Sequence, residues 1–156
     1  MSNEERSSSR LRGMGGSMAD DVILNKAGVI ERCIARVREE HAGDDRNLLD
    51  DMTRQDSIIL NLQRACEAAI DLAMHLVKIR KLGVPQESRD AFAYLAEADL
   101  LDREHADRLM KMVGFRNVAV HDYKKLNLEI VKHIVRNDLG VFLDFATWAI
   151  RDGQET

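Results

Sequence analysis

The chain has 156 residues, a net charge of −4 and 45% hydrophobic residues, which suits one domain around a single core. Its acidic balance argues against indiscriminate nucleic-acid binding, and it holds no run of about 18 apolar residues that would cross a membrane. Aromatic residues make up 4%, Pro85 is the single proline, and Leu, Ala, Arg, Asp and Glu abound, so the composition favours an all-α bundle over a sheet.

Residues 1–17 are rich in Ser, Gly and Arg and offer nothing to bury. They read as a disordered leader or a cloning remnant, with Met18 as the natural start and residues 18–152 as one helical domain. A first helix is predicted over 20–41, where Val22, Ile23, Val29, Ile30, Cys33, Ile34 and Val37 recur at helical period. Asp20 or Asp21 can cap it, and Gly43-Asp44-Asp45 breaks it. A second, long helix is predicted over 48–82, with Ile58, Leu62, Ala65, Ala69, Leu72, Ala73 and Leu76 on one face. Leu60 and Met74 fall on the far side, where they are either incidental or meet another subunit. Gly83 and Pro85 mark its stop.

Ser88 is expected to cap a short helix over 88–98 that packs through Phe92 and Leu95. Asp102 caps a fourth helix that runs to about 123, and Asn127 opens a fifth that runs to about 151. Val131, Ile134, Val135, Leu139, Phe142 and Ala146 line the fifth, with a bend expected at Gly140. Cys33 and Cys66 sit inside apolar patterns and lack metal-ligand spacing, which fits buried thiols in a reducing compartment. With no signal peptide visible, the cytoplasm is the expected location.

Charge is unevenly spread. Residues 103–136 hold eight Lys/Arg against four acids, a local +4 that leaves the remainder at −8. That face is either simply solvated or meets an anionic partner. Within it lies Arg116-Asn117-Val118-Ala119-Val120-His121-Asp122-Tyr123. On a helical wheel Arg116 falls in the middle of the stripe formed by Leu109, Met112, Val113, Ala119 and Val120, and Tyr123 shares it. An arginine there is costly unless something pairs with it, either an intramolecular acid or a phosphate held in a cleft. His121 lies about 140° from Arg116 on the wheel, with Asn117 between them and one turn before it, so Asn117 can orient the imidazole. A lone helical histidine is otherwise a surface or capping residue. One helix does not bring the tips of Arg116 and His121 together; they flank a groove, or a second subunit completes the site.

At these residues the chain resembles the HEPN superfamily (higher eukaryotes and prokaryotes nucleotide-binding domain), recognised by Arg, a polar residue, a short gap and His. Arg116, Asn117 and His121 match, and with Tyr123 the pattern becomes the R-x4-H-x-Y of the HepT toxin branch. Gln55-Asp56-Ser57, Asn61-Leu62-Gln63-Arg64, Gly83-Val84-Pro85-Gln86, Ser88-Arg89-Asp90 and Lys111-Met112-Val113-Gly114 are also similar to that branch, so the likeness extends over 20–150. The resemblance implies a HEPN-type antiparallel bundle of about five helices that dimerises, bringing two motif helices to a shared cleft. It implies a toxin of a toxin–antitoxin pair that cuts RNA without metal or cofactor. It also implies an MntA-like nucleotidyltransferase antitoxin that silences the toxin by transferring AMP to Tyr123.

The residue chemistry fits that expectation. RNA cleaves itself when a 2′-hydroxyl attacks the adjacent phosphate, and imidazole exchanges protons near neutral pH. His121 would shuttle protons, Arg116 would stabilise charge on the phosphoryl oxygens, and Asn117 would position either the imidazole or the phosphate. The alternatives are a non-catalytic HEPN module that binds nucleotide or docks a nucleotidyltransferase, and a plain bundle in which Arg116 forms a buried ion pair.

Overall fold

Ile23, Ala27, Ile30, Ile34 and Val37 recur every three or four residues, and the whole stripe is buried in α1, Met14–His41. The computed structural model describes the backbone of residues 14–155 and the side chains of residues 21–153. Of the leader expected over 1–17, residues 1–13 lie outside the described residues, and α1 begins at Met14. Its end is the expected one: Ala42 and Gly43 adopt left-handed backbone (φ 50° and 72°), and the chain turns.

The expected long second helix is two helices. α2, Arg46–Leu49, is a single turn that buries Leu48, and α3 follows as Met52–Ile79. The break is chemical. Asp51 is extended (φ −113°, ψ 103°), and its carboxylate accepts from the Arg54 N–H at 3.1 Å, opening a new helix. Gln55 Nε2 then donates to the Leu48 carbonyl at 2.9 Å, satisfying a terminus that a continuous helix would have satisfied itself. α3 is the central element, packed on α1 to one side and on α4 and α5 to the other. Leu60 and Met74 point to solvent, 43% and 37% exposed, on the side the wheel assigned them.

α3 ends at Ile79, before Gly83 and Pro85 are reached. Lys81 takes the left-handed position (φ 56°), and the Leu82 N–H reaches back to the Val77 carbonyl at 3.0 Å, a Schellman closure built on lysine. Gly83 serves the following turn instead: at φ 144°, a Cβ there would also stand 3.1 Å from the Tyr94 ring. α4, Ser88–Glu97, has its N-cap one residue before the expected Ser88, at Glu87. The Asp90 carboxylate accepts from the Gln86 and Glu87 N–H groups at 2.9 and 3.0 Å, which leaves the Ser88 hydroxyl free for another partner.

Asp102 caps α5, Arg103–His121, by accepting from the Glu104 and His105 N–H groups, as the sequence led one to expect. Its end comes two residues early: Asp122 is the C-cap, and Tyr123–Lys125 form a 3₁₀ turn. Asn127 caps α6, Leu128–Asn137, again as expected. The fifth expected helix also divides, at Asp138 (φ −115°, ψ 0°), and resumes as α7, Leu139–Glu155. Asp138 is buried with its carboxylate 3.6 Å from Arg108 and 3.8 Å from His133, and the chain bends there; at Gly140 nothing crowds the backbone. Five expected helices are thus seven among the described residues, because two aspartates each cut an apolar stripe in two.

The core runs through α1, α3, α5 and α7. Phe145 of α7 meets Phe92 of α4 edge-on, centroids 5.6 Å apart, and stacks on Trp148. Arg80 at the end of α3 is ion-paired with the buried Asp152 of α7, tying the two ends together. Cys33 and Cys66 are free and buried, and burial raises both thiols above their ordinary range, so neither is a reactive thiolate. Among the described residues no helix is long and apolar enough to cross a membrane.

Candidate active site at the end of the motif helix

Leu109, Met112, Val113 and Ala119 of α5 are buried as the wheel required, and Arg116 lies among them with its side chain 22% exposed. Its guanidinium reaches across to two other helices. Nη2 donates to the Ser88 hydroxyl of α4 at 3.3 Å, and Nη1 lies 4.0 Å from Glu67 Oε2 on α3. Nε is buried without a hydrogen-bond partner. The acid that was one of the two expected partners is therefore present, but at the outer limit of an ion pair and itself 44% exposed.

Val120 departs from the expected stripe: it is 43% exposed, one residue before the helix ends, although its neighbour Ala119 is buried. His121 is that final residue, exposed to solvent. Asn117, one turn earlier, is exposed as well, and among the described residues no side-chain hydrogen bond joins the two. Arg116 thus turns inward toward α3 and α4 while His121 turns outward. One copy of the chain keeps them apart, as the wheel separation required.

Tyr123 does not share the Arg116 stripe, because α5 has already ended. The 3₁₀ turn carries the phenol across to α3, where its hydroxyl donates to Asp56 Oδ1 at 2.7 Å. Partial burial, the hydrogen bond and the charge of Asp56 push the phenol up from 10 to about 12, so it stays protonated at neutral pH.

The positive stretch is partly neutralised within the chain. Arg108 pairs with Glu104 at 3.2 Å, Lys125 with Asp122 at 3.4 Å and Lys132 with Glu129 at 2.9 Å. Arg103, Lys111 and Lys124 have no such partner among the described residues. Lys111, Arg108, Lys125 and His133 rim a groove of about 670 Å³ between α5 and α6, floored by Met112 and Phe115. Val118, Val120 and Ile130 stand exposed on the same two helices.

Three residues that touch the motif were not singled out for it from the sequence. Ser88 was read as a helix cap, Asp56 belonged to a quoted segment with no role attached, and Glu67 carried no signal at all. Each lies on another helix, far along the chain from its partner.

The comparisons with known proteins agree with this picture. The family model described as "Ribonuclease HepT-like" matches residues 30–147. The chain is 50% identical over 126 residues to the mRNA nuclease HepT of Shewanella oneidensis, covering 81% of this chain and 94% of that one. Its fold is similar to that of the tri-AMPylated Shewanella oneidensis HEPN toxin in complex with MNT antitoxin, with a TM-score of 0.78 and 48% identity over 85% of this chain and 98% of the other. A toxin–antitoxin structure with AMP-PNP is similar at a TM-score of 0.77 and 48% identity, over 83% and 98% of the two chains. The chain belongs to the HepT-like ribonuclease family and has its all-α HEPN fold.

Proposed function

We propose that this chain is the toxin of a cytoplasmic toxin–antitoxin pair, an endoribonuclease that cuts RNA without a metal and is silenced when an MntA-like nucleotidyltransferase antitoxin transfers AMP to Tyr123. The observation that carries the reading is the 50% identity to an mRNA nuclease over 94% of that protein's length, with Arg116 and His121 both standing at the end of α5. In this reading a second copy covers the exposed Val118, Val120 and Ile130, and two α5 ends form one cleft.

An RNA 2′-hydroxyl attacks the adjacent phosphorus. His121 takes its proton, and a protonated imidazole returns one to the departing 5′-oxygen. The products are a 2′,3′-cyclic phosphate and a 5′-hydroxyl. Arg116 offers its open face to the phosphoryl oxygens as charge builds on them, and Asn117 positions the phosphate or the imidazole. AMP on Tyr123 places a bulky anion two residues from His121, which obstructs RNA and repels its phosphates.

The test is cleavage of total RNA in EDTA by purified wild type, Arg116→Ala and His121→Ala. Wild type is expected to cut, leaving cyclic-phosphate ends, and each variant to lose at least about 100-fold in rate. Equal cutting by all three, or by none, defeats the catalytic assignment.

A further inference from the structure

The RNA-cleaving motif accounts for Arg116, Asn117 and His121, but not for the contact that its tyrosine makes. Tyr123 Oη donates to Asp56 Oδ1 at 2.7 Å, across a chain separation of 67 residues. Asp56 sits in the first turns of α3, exposed, and the phenol is 44% exposed beside it. A hydroxyl that is both solvent-accessible and already hydrogen-bonded to a carboxylate is arranged as an activated nucleophile is: reacting oxygen outside, proton acceptor within contact distance.

We propose that Asp56 is the proton acceptor for nucleotidyl transfer to Tyr123. This rests on the reading of Tyr123 as the AMP acceptor and adds the residue of the toxin that takes part in its own silencing. Tyr123 Oη attacks the α-phosphorus of a nucleoside triphosphate. The new Oη–P bond forms as the bond to the bridging oxygen breaks, and pyrophosphate leaves with that electron pair. The phenolic proton passes to Asp56 Oδ1 and from there to water. The phenol needs such a group, because burial and Asp56 itself hold it protonated up to about pH 12, and free phenolate is scarce at neutral pH. An aspartate accepting a hydroxyl proton beside a reacting phosphate is the device that protein kinases use on their substrates.

Asp56 also fixes where the oxygen points. The turn that carries Tyr123 has no buried residue of its own, so the hydrogen bond to α3 is what sets the direction of the phenol. Once AMP is attached the donor is gone, and the new phosphodiester stands beside a carboxylate of the same sign. The turn then loses its hydrogen bond to α3, so the modification loosens the segment next to His121 as well as blocking it.

The experiment incubates the full chain with an MntA-like nucleotidyltransferase and magnesium ATP labelled at the α-phosphate. Initial rates are followed for wild type, Asp56→Asn, Asp56→Glu, Asp56→Ser and Tyr123→Phe. Asp56→Asn keeps an oxygen that accepts the hydrogen bond but removes the base. It is expected to lose about 100-fold in kcat for transfer, with KM for the toxin changed less than threefold. Asp56→Glu, which keeps a carboxylate, should recover at least a tenth of the wild-type kcat, whereas Asp56→Ser should match the asparagine variant. Thermal melts establish that each variant is folded. Equal kcat for wild type and Asp56→Asn overturns the proposal, as does a loss confined to KM or one that glutamate does not repair. If the wild-type chain takes no label, or Tyr123→Phe keeps it, the reading of Tyr123 as acceptor fails first and takes this proposal with it.

Discussion

Removing the Tyr123 hydroxyl should lower stability by a small amount that depends on pH. In Tyr123→Phe the ring remains and the hydrogen bond to Asp56 is lost. Hydrogen bonds to charged groups contribute about 1.5–3 kcal/mol when buried. Tyr123 is 44% exposed and Asp56 is freed into water rather than stranded, so about 1 kcal/mol is expected at pH 7. The folded chain raises the phenol from 10 to about 12. Taken in full, that would be about 2.7 kcal/mol between the neutral and ionised forms; exposure to solvent screens it to about 1 kcal/mol. A folded value above the unfolded one means that unfolding releases the phenolic proton more readily at high pH. The contribution is therefore complete below pH 10 and is lost as pH rises from 10 toward 12. Paired urea titrations of wild type and Tyr123→Phe measure the difference and cancel the many lysines that titrate nearby. The gap should hold at about 1 kcal/mol from pH 7 to 9 and close by pH 11.5 to 12. A gap that stays constant through pH 11.5, or widens, refutes the assignment of Asp56 as the partner of the phenol.

Two further outcomes follow from contacts elsewhere. Ser88→Ala removes one of the two side chains that hold Arg116; RNA-cleavage kcat should fall about tenfold, equivalent to about 1.4 kcal/mol of barrier, while the melting temperature stays within a few degrees. Lys81→Gly relieves a left-handed lysine at φ 56°, and urea unfolding should show a gain of about 1 kcal/mol.

Much of the fold was legible because helix boundaries are local chemistry. Asp102 and Asn127 each precede an apolar-periodic run and each accepts the N–H that a cap should. Asp51 and Asp138 are the same residue type and were passed over, since apolar residues continue in phase on both sides of them and periodicity alone joins the stripes. Lys81 gave no sign of its left-handed backbone; glycine is the residue that announces such a position. The candidate site divides along the same line. The inward turn of Arg116 and the outward turn of His121 follow from 100° per residue. The partners of Arg116 and Tyr123, Ser88 and Asp56, lie 28 and 67 residues away and are brought in only by the packing of α4 and α3 against α5.

Between the proposed nuclease and a bundle that merely buries an ion pair, the loose contacts of the Arg116 guanidinium favour the first. A structural pair would be expected to bring a carboxylate into contact, as Asp152 does for Arg80; the Nε of both arginines is buried without an acceptor, so that atom does not separate the two readings. At Arg116 the hydroxyl of Ser88 is a neutral partner at 3.3 Å, and the nearest carboxylate stands off at 4.0 Å. That is poor engineering for stability and good engineering for an anion that comes and goes. In the proposed cleft a phosphate would meet a planar cation already oriented by two helices and only loosely claimed by Glu67. In the proposed dimer the same logic leaves the site unfinished in one copy. His121 faces solvent with exposed Val118 and Val120 beside it, and in the proposed dimer the surface that would close a cleft over the scissile phosphate comes from the second copy.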